Sequence, residues 1–286
     1  MGALRFTEVR GASLDSRNYL PKRVFAVDFK ADGKLAEFSI QMENRIGMIA
    51  TLSMAVSKHN VKILSGLHDA PSGADRGTWA FFADFTGADI EVEALAVELR
   101  SVPSVLEVRV QTGHDGFIAD TLHFPRLLGS ERVTIVRSAM LESIGQRLRA
   151  MWGEDSPIPH VLLHQIGEAS GERAFDAIKS VLGFAYVRRN VESAASLFTA
   201  LGWGILELNA IDLDGKTALV LIHDGFECAS STGKATAPQC DFTRGMLSGW
   251  FSGLFESKVN VIENACVAKG NPTCVFQVDP TRQETT

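Results

Sequence analysis

The first 227 residues contain no cysteine, and all four cysteines of the 286-residue chain fall between positions 228 and 274. That distribution excludes a disulfide framework spread through the fold and suits a reducing compartment. Long apolar runs are missing as well. None reaches 18 residues, so no membrane-spanning helix is expected. The opening Met1-Gly-Ala-Leu-Arg-Phe-Thr-Glu lacks the apolar core of a signal peptide, so a cytoplasmic protein is expected. Excess positive charge is also absent. Twenty-eight Lys and Arg face 34 Asp and Glu, for a net charge of −6, which argues against direct nucleic-acid binding. Gly202-Trp-Gly204 has no third glycine, Gly233-Lys lacks the glycine spacing of a phosphate loop, and neither a nucleophile elbow nor a His-Glu-x-x-His is found. No repeat of 20–50 residues, no helix-turn-helix and no ATPase module is evident. What remains is 45% apolar and 22% charged, the balance of a globular protein, over a length that suggests two domains.

Residues 1–33 carry little periodicity and read as an N-terminal arm. From Lys34 the signals sharpen. Phe38, Ile40 and Met42 alternate as a half-buried strand. Met48, Leu52 and Ala55 then follow helical spacing. Val61 and Ile63 open a second strand, and Trp79, Phe81, Ala83 and Phe85 form a third. Val92, Leu95 and Leu99 mark a second helix, and Leu106, Val108 and Val110 a last strand. The order is βαββαβ over 34–112, a ferredoxin-like arrangement. Residues 113–125 are rich in turn formers and read as a linker.

The texture then changes. Val133, Val136, Met140, Ile144, Leu148 and Trp152 are spaced as one face of a long helix, with Ser130 as its cap. Helices are also expected at about 159–175, 191–201 and 242–255. Strands are expected at 203–209, 217–222, 259–262 and 275–278, and residues 280–286 read as a tail. The fold class is therefore α+β, a ferredoxin-like domain followed by a mixed α/β domain over 126–279.

Glu43-Asn44-Arg45-Ile46-Gly47-Met48, followed by Val61-Lys62-Ile63, resembles the ACT domain, a family of regulatory and dimerising modules. Gly47 opens a helix, where unpaired N–H groups and the helix dipole favour a carboxylate. The resemblance implies amino-acid binding at Asn44, Arg45, Ile46 and Gly47, with Leu64 and Ser65 opposite, usually across an interface between two copies. A purely dimerising role is the alternative, in which Asn44 and Arg45 only cap the helix.

Glu263-Asn-Ala-Cys266, then Lys269-Gly-Asn-Pro-Thr-Cys274-Val-Phe276, resembles the end of the 4-vinyl reductase domain family. That family includes sensory domains of phenol- and xylene-responsive regulators and predicted hydrocarbon-binding proteins. The resemblance implies a zinc ion held by Cys240, Glu263, Cys266 and Cys274, at intervals of 23, 3 and 8. Four protein ligands would fill the tetrahedron and make the site structural. Cys228 reads as a buried apolar thiol, or else as an alternative ligand. Phe198, Trp203, Phe226, Trp250, Phe251 and Phe255 are candidates for the lining of a pocket, or for core. His160 and His164, four apart, have no evident third ligand and read as a hydrogen-bonded or exposed pair.

The function expected from these features is a cytoplasmic small-molecule sensor, at least dimeric, acting on an unidentified downstream protein. It would bind a hydrophobic or aromatic ligand beside a structural zinc, and an amino acid at the ACT-like turn. The alternative is a reductase acting on a vinyl group of a tetrapyrrole or related substrate. That alternative rests on the family name alone, because no acid, base or redox-cofactor site is visible.

Overall fold

The computed structural model describes residues 21–153, 156–189 and 191–281. The chain divides into two units, one formed by residues 21–134 and the other including everything from Ile135 onward. Both combine helices with antiparallel sheets, so the class is α+β.

The first unit begins with the short strand β1 (Val27–Phe29) and the long strand β2 (Leu35–Glu43). Next come α1 (Met48–Ser57), β3 (Lys62–Asp69), β4 (Arg76–Asp84), α2 (Val92–Ser101) and β5 (Val105–Thr112). The sheet order is β3-β4-β2-β5, every pair antiparallel. Alternation along β2 and β4 sends Phe38, Ile40, Met42, Trp79, Phe81 and Phe85 to one face. There they pack with Leu52, Val56, Leu95 and Leu99 from the helices. Phe38 and Phe81 stack with centroids 5.2 Å apart.

The opposite face of β2 is also buried, including Leu35, Glu37 and Ser39. Its cover comes from residues expected to be an arm and a linker. Within 113–125, β6 (Phe117–Ala119) pairs antiparallel with β1. Phe25 stacks on Phe82 at 4.4 Å, and Leu35, Phe82 and Ile118 form a second small core. Three-residue strands are too short to show alternation, so these segments read as irregular although the sheet's apolar back face required a cover. Lys30 fastens the cover by pairing with the buried Asp84. Burial opposes ionisation of Asp84, but Lys30 and Thr86 outweigh it and lower its pKa to about 2. The unit closes with a hairpin of β7 (Arg126–Leu128) and β8 (Glu131–Val133).

The second unit starts with α3 (Ser138–Trp152), α4 (Pro157–Leu182), α5 (Phe184–Arg189) and α6 (Glu192–Ala200). It continues with β9 (Ile205–Asp212), β10 (Thr217–His223), α7 (Asp241–Phe255), β11 (Val259–Ala265) and β12 (Cys274–Pro280). The sheet order is β11-β12-β10-β9, antiparallel throughout. Helix α3 corrects the expectation of a helix from Val133 capped by Ser130. It starts five residues later, because Val133 pairs with Arg126 in the hairpin around Gly129. Its apolar stripe is also not core, since Met140, Ile144 and Trp152 are exposed.

Helices α4 and α7 approach until their backbones touch. A Cβ on Gly167 or Gly171 of α4 would stand 2.0 Å from the carbonyl oxygen of Phe242 or Met246. On α7, one on Gly245 or Gly249 would stand 2.0 or 2.1 Å from that of His164 or Glu168. The four-residue glycine spacing on both helices makes the crossing this close. It presses Trp250 edge-on against Phe175, at 5.7 Å.

Candidate metal centre and apolar cavity

The four cysteines, scattered over 47 positions, meet in one buried nest. Their Sγ atoms all lie within 4.8 Å of one another. Cys228 to Cys274 is 3.4 Å, Cys240 to Cys274 is 3.6 Å, and Cys240 to Cys266 is 3.8 Å. Four thiolates about 2.3 Å from a tetrahedral zinc sit about 3.8 Å from each other, so this spacing fits such an ion.

Local chemistry builds the nest. Cys240 stands at the start of α7 and Cys274 opens β12. Cys266 ends β11 and enters a tight return. There its N–H donates to Asn271 Oδ1, its carbonyl accepts from Lys269 N–H, and Gly270 takes φ +93°. The Val267 N–H donates to Cys274 Sγ. Glu227, the residue before Cys228, accepts from the N–H groups of Phe242 and Thr243 at 2.8 Å each. Its carboxylate thus holds the Cys228 turn against the N-terminus of α7, where the helix dipole favours negative charge. Burial nevertheless pushes the Glu227 carboxyl up to about 7.

Glu263 borders the sulfurs. Its Oε2 accepts from the Cys240 N–H at 3.2 Å, while its buried Oε1 has no hydrogen-bond partner. Burial, then the Cys266 thiol beside it, pushes its carboxyl up to about 9. Among the thiols, S–H donation from Cys228 and Cys240 pulls Cys266 down, whereas Cys240 and Cys274 are pushed up by their sulfur neighbours. The protein alone therefore supports little negative charge here. A divalent cation would reverse that balance. Beyond the nest, Asp241 binds Arg149 at 3.1 Å and Arg244 at 3.1 Å, and His160 Nδ1 lies 2.6 Å from its Oδ2. The expected His160–His164 pair is thus divided. His164 instead lies 4.0 Å from Glu168, and burial lowers its pKa.

Four of the five expected pocket residues, Phe198, Trp203, Trp250 and Phe251, line one cavity of about 100 Å³. The rest of its wall is aliphatic, including Ile178, Val191, Leu206 and Leu208. Phe226 is not in the wall. It packs behind Trp203 at 6.0 Å and against Phe242. Phe255 is core and touches Phe251 at 5.5 Å. Met246, Leu247, Trp250 and Phe251 of the wall belong to α7, the helix that Cys240 begins.

At the ACT-like turn, Asn44, Arg45, Ile46 and Gly47 line a shallow hollow with His68. Gly47 takes φ +89°, with open space where a Cβ would stand. Ile46 is fully exposed, Arg45 pairs with Glu43, and Asn44 Nδ2 donates to the carbonyl of Ala74. Leu64 and Ser65 are not in this wall. A register shift between Ile63 and Ser65 interrupts β3 there, and His68, further along the strand, takes the place expected for them.

Among the described residues, no helix is long and apolar enough to cross a membrane. An uncharacterised protein of Methanocaldococcus jannaschii is 26% identical over 118 residues, covering 41% of this chain and 72% of its own. Among solved structures, the phenol-responsive sensory domain of the transcription activator PoxR, bound to phenol, aligns at 23% identity and TM-score 0.47. That alignment covers 55% of this chain and 82% of the domain. A vinyl-4-reductase family protein from M. jannaschii aligns at 20% identity and TM-score 0.36, covering 52% and 85%. The ACT domain of a Chlorobium tepidum GTP pyrophosphokinase aligns at 21% identity and TM-score 0.24, covering 28% and 99%. Residues 220–280, which carry all four cysteines and Glu263, match the 4-vinyl reductase domain family.

Proposed function

We propose that the protein is a small-molecule sensor whose second unit takes a compact apolar or aromatic ligand beside a structural zinc. The observation that carries this reading is the cavity of about 100 Å³ walled by Phe198, Trp203, Trp250, Phe251 and aliphatic side chains. A cavity of about 150 Å³ of similar character holds benzene, so the volume suits a single ring after a slight outward shift of the wall. No charged side chain lines the cavity, so a charged ligand would lose its hydration without recompense.

Cys240, Cys266 and Cys274 would hold the zinc with Glu263 as the fourth ligand. A buried carboxylate oxygen without a partner is costly, whereas a neutral buried thiol such as Cys228 is not. With four protein ligands, the ion supplies structure. Helix α7 joins the two sites, because it starts at a zinc ligand and walls the cavity. Ligand entry therefore biases the α7 position and, through it, the surface offered to a downstream protein. The hollow at Asn44–Gly47 supports a second, amino-acid ligand, whose carboxylate would meet the N-terminus of α1.

The test is binding to the zinc-loaded chain. Phenol, toluene and similar single-ring compounds should raise the melting temperature and alter Trp203 and Trp250 fluorescence, while benzoate should do neither. Leu208→Trp, which fills the cavity, should abolish both effects. If no single-ring compound has an effect, or if Leu208→Trp binds as the wild type does, the sensor reading fails.

A further inference from the structure

The first unit contains a second cluster of metal-ligating groups, far in sequence from the cysteines. Glu37 lies on β2 and Asp120 and His123 lie just after β6. One donor atom from each falls within 4.8 Å of the other two. The Glu37 and Asp120 side chains are fully buried. His123 Nδ1 lies 2.8 Å from Asp120 Oδ1 and 3.3 Å from Glu37 Oε1. A single Nδ1 hydrogen cannot serve both oxygens at full strength, and Glu37 Oε1 is left buried without a hydrogen bond.

Each group's remaining atom is already held. Gln111 Nε2 donates to Glu37 Oε2 at 3.0 Å, and Arg126 stands 2.7 Å from Asp120 Oδ2. His123 Nε2 lies 2.8 Å from Ser39 Oγ. That is how ligands are oriented at a metal site, with the outer atom of each fixed by a neighbour and the inner atoms turned to a common point.

We propose that Glu37, Asp120 and His123 form a binding site for a divalent first-row transition metal ion, which replaces the Nδ1 proton. Two carboxylates match the ion's charge, and one imidazole with two oxygens suits manganese(II), iron(II) or zinc rather than a soft thiolate-seeking ion. Three protein ligands leave positions for water. Asp120 and His123 belong to the segment that covers the back of the sheet, so the ion pins that segment to β2.

The full chain, its thiol nest loaded with a single equivalent of zinc, is titrated with manganese(II), and free aqueous manganese is followed by electron paramagnetic resonance. One manganese per chain should be taken up. Glu37→Gln and His123→Ala should each weaken uptake about tenfold or more, and Ser39→Ala, which removes only an outer partner, should weaken it less. Glu107→Gln, an exposed carboxylate on β5, should bind as the wild type does. Far-ultraviolet circular dichroism confirms that each variant is folded. If all the manganese stays free in the wild type, or if Glu37→Gln and His123→Ala bind as tightly as the wild type, the site does not exist.

Discussion

The two units solve the same problem, burying one face of a four-stranded antiparallel sheet, by different means. The first does it with bulk. Six large side chains from β2 and β4 meet two amphipathic helices, and a ribbon of short strands closes the other face. The second does it with nearness. Glycines let α4 and α7 touch backbone to backbone, and four cysteines with Glu263 gather the loops that follow β10 and β11. A core built on bulk tolerates small changes of shape. A core built on absent side chains and one multidentate centre concentrates its stability in a few atoms.

The largest predicted effect sharpens that contrast. Cys274→Ser should abolish zinc binding and unfold the second unit, because a structural zinc contributes about 10 kcal/mol or more to folding. Metal analysis and calorimetry would check this, and the melting transition of the first unit should persist. Glu263→Gln should also lose zinc, whereas Cys228→Ser should retain it. The opposite ranking would make the fourth ligand a thiolate.

Next comes Gly249→Ala, whose new Cβ would stand 2.1 Å from the Glu168 carbonyl oxygen. A loss of about 3 kcal/mol is expected on denaturant unfolding. A loss below about 1 kcal/mol would show that the helices separate easily and that nearness is not what holds them.

The first unit can be probed by acid. Asp84 has a pKa of about 2, against an ordinary 3.8, so its contribution is complete above pH 4 and is lost as pH falls towards 2. The shift corresponds to about 2 kcal/mol. Lys30→Ala should remove most of that pH dependence, measured as unfolding free energy between pH 5 and 2. An unchanged acid limb would remove Lys30 from the account. The smallest effect is expected at Gly47→Ala, about 1 kcal/mol, because φ is +89° but the space beyond is open.

Legibility in the sequence followed the length scale of each signal. Strands β2 and β4 and helices α1, α2 and α7 were readable because their apolar residues repeat over nine or more positions. Phe198, Trp203, Trp250 and Phe251 were readable as one group because aromatic residues are few and conspicuous. Phe226 misled, since a second aromatic layer has the same composition as the first. The stripe from Met140 to Trp152 misled in another way. Its spacing is helical and the helix is present, but spacing carries no record of what covers a face. Cys228 had no spacing to place it among the sulfurs, although four thiols confined to the final stretch were themselves a hint. The glycines at 167 and 171 and at 245, 249 and 253 were a legible signal that went unread.

By itself the sequence determined which stretches are strand and which are helix over most of the chain, and it determined the chemistry available. Thiolate and carboxylate for a metal, aromatic carbon for a pocket and a glycine at a helix start are properties of residues and short intervals. Only tertiary structure decided which of these meet. It placed Cys228 with the distant Cys274, covered β2 with the segment around β6, and brought Glu37 to Asp120 and His123. Such contacts depend on chain crossings fixed by the whole packed core, and local periodicity holds no information about them.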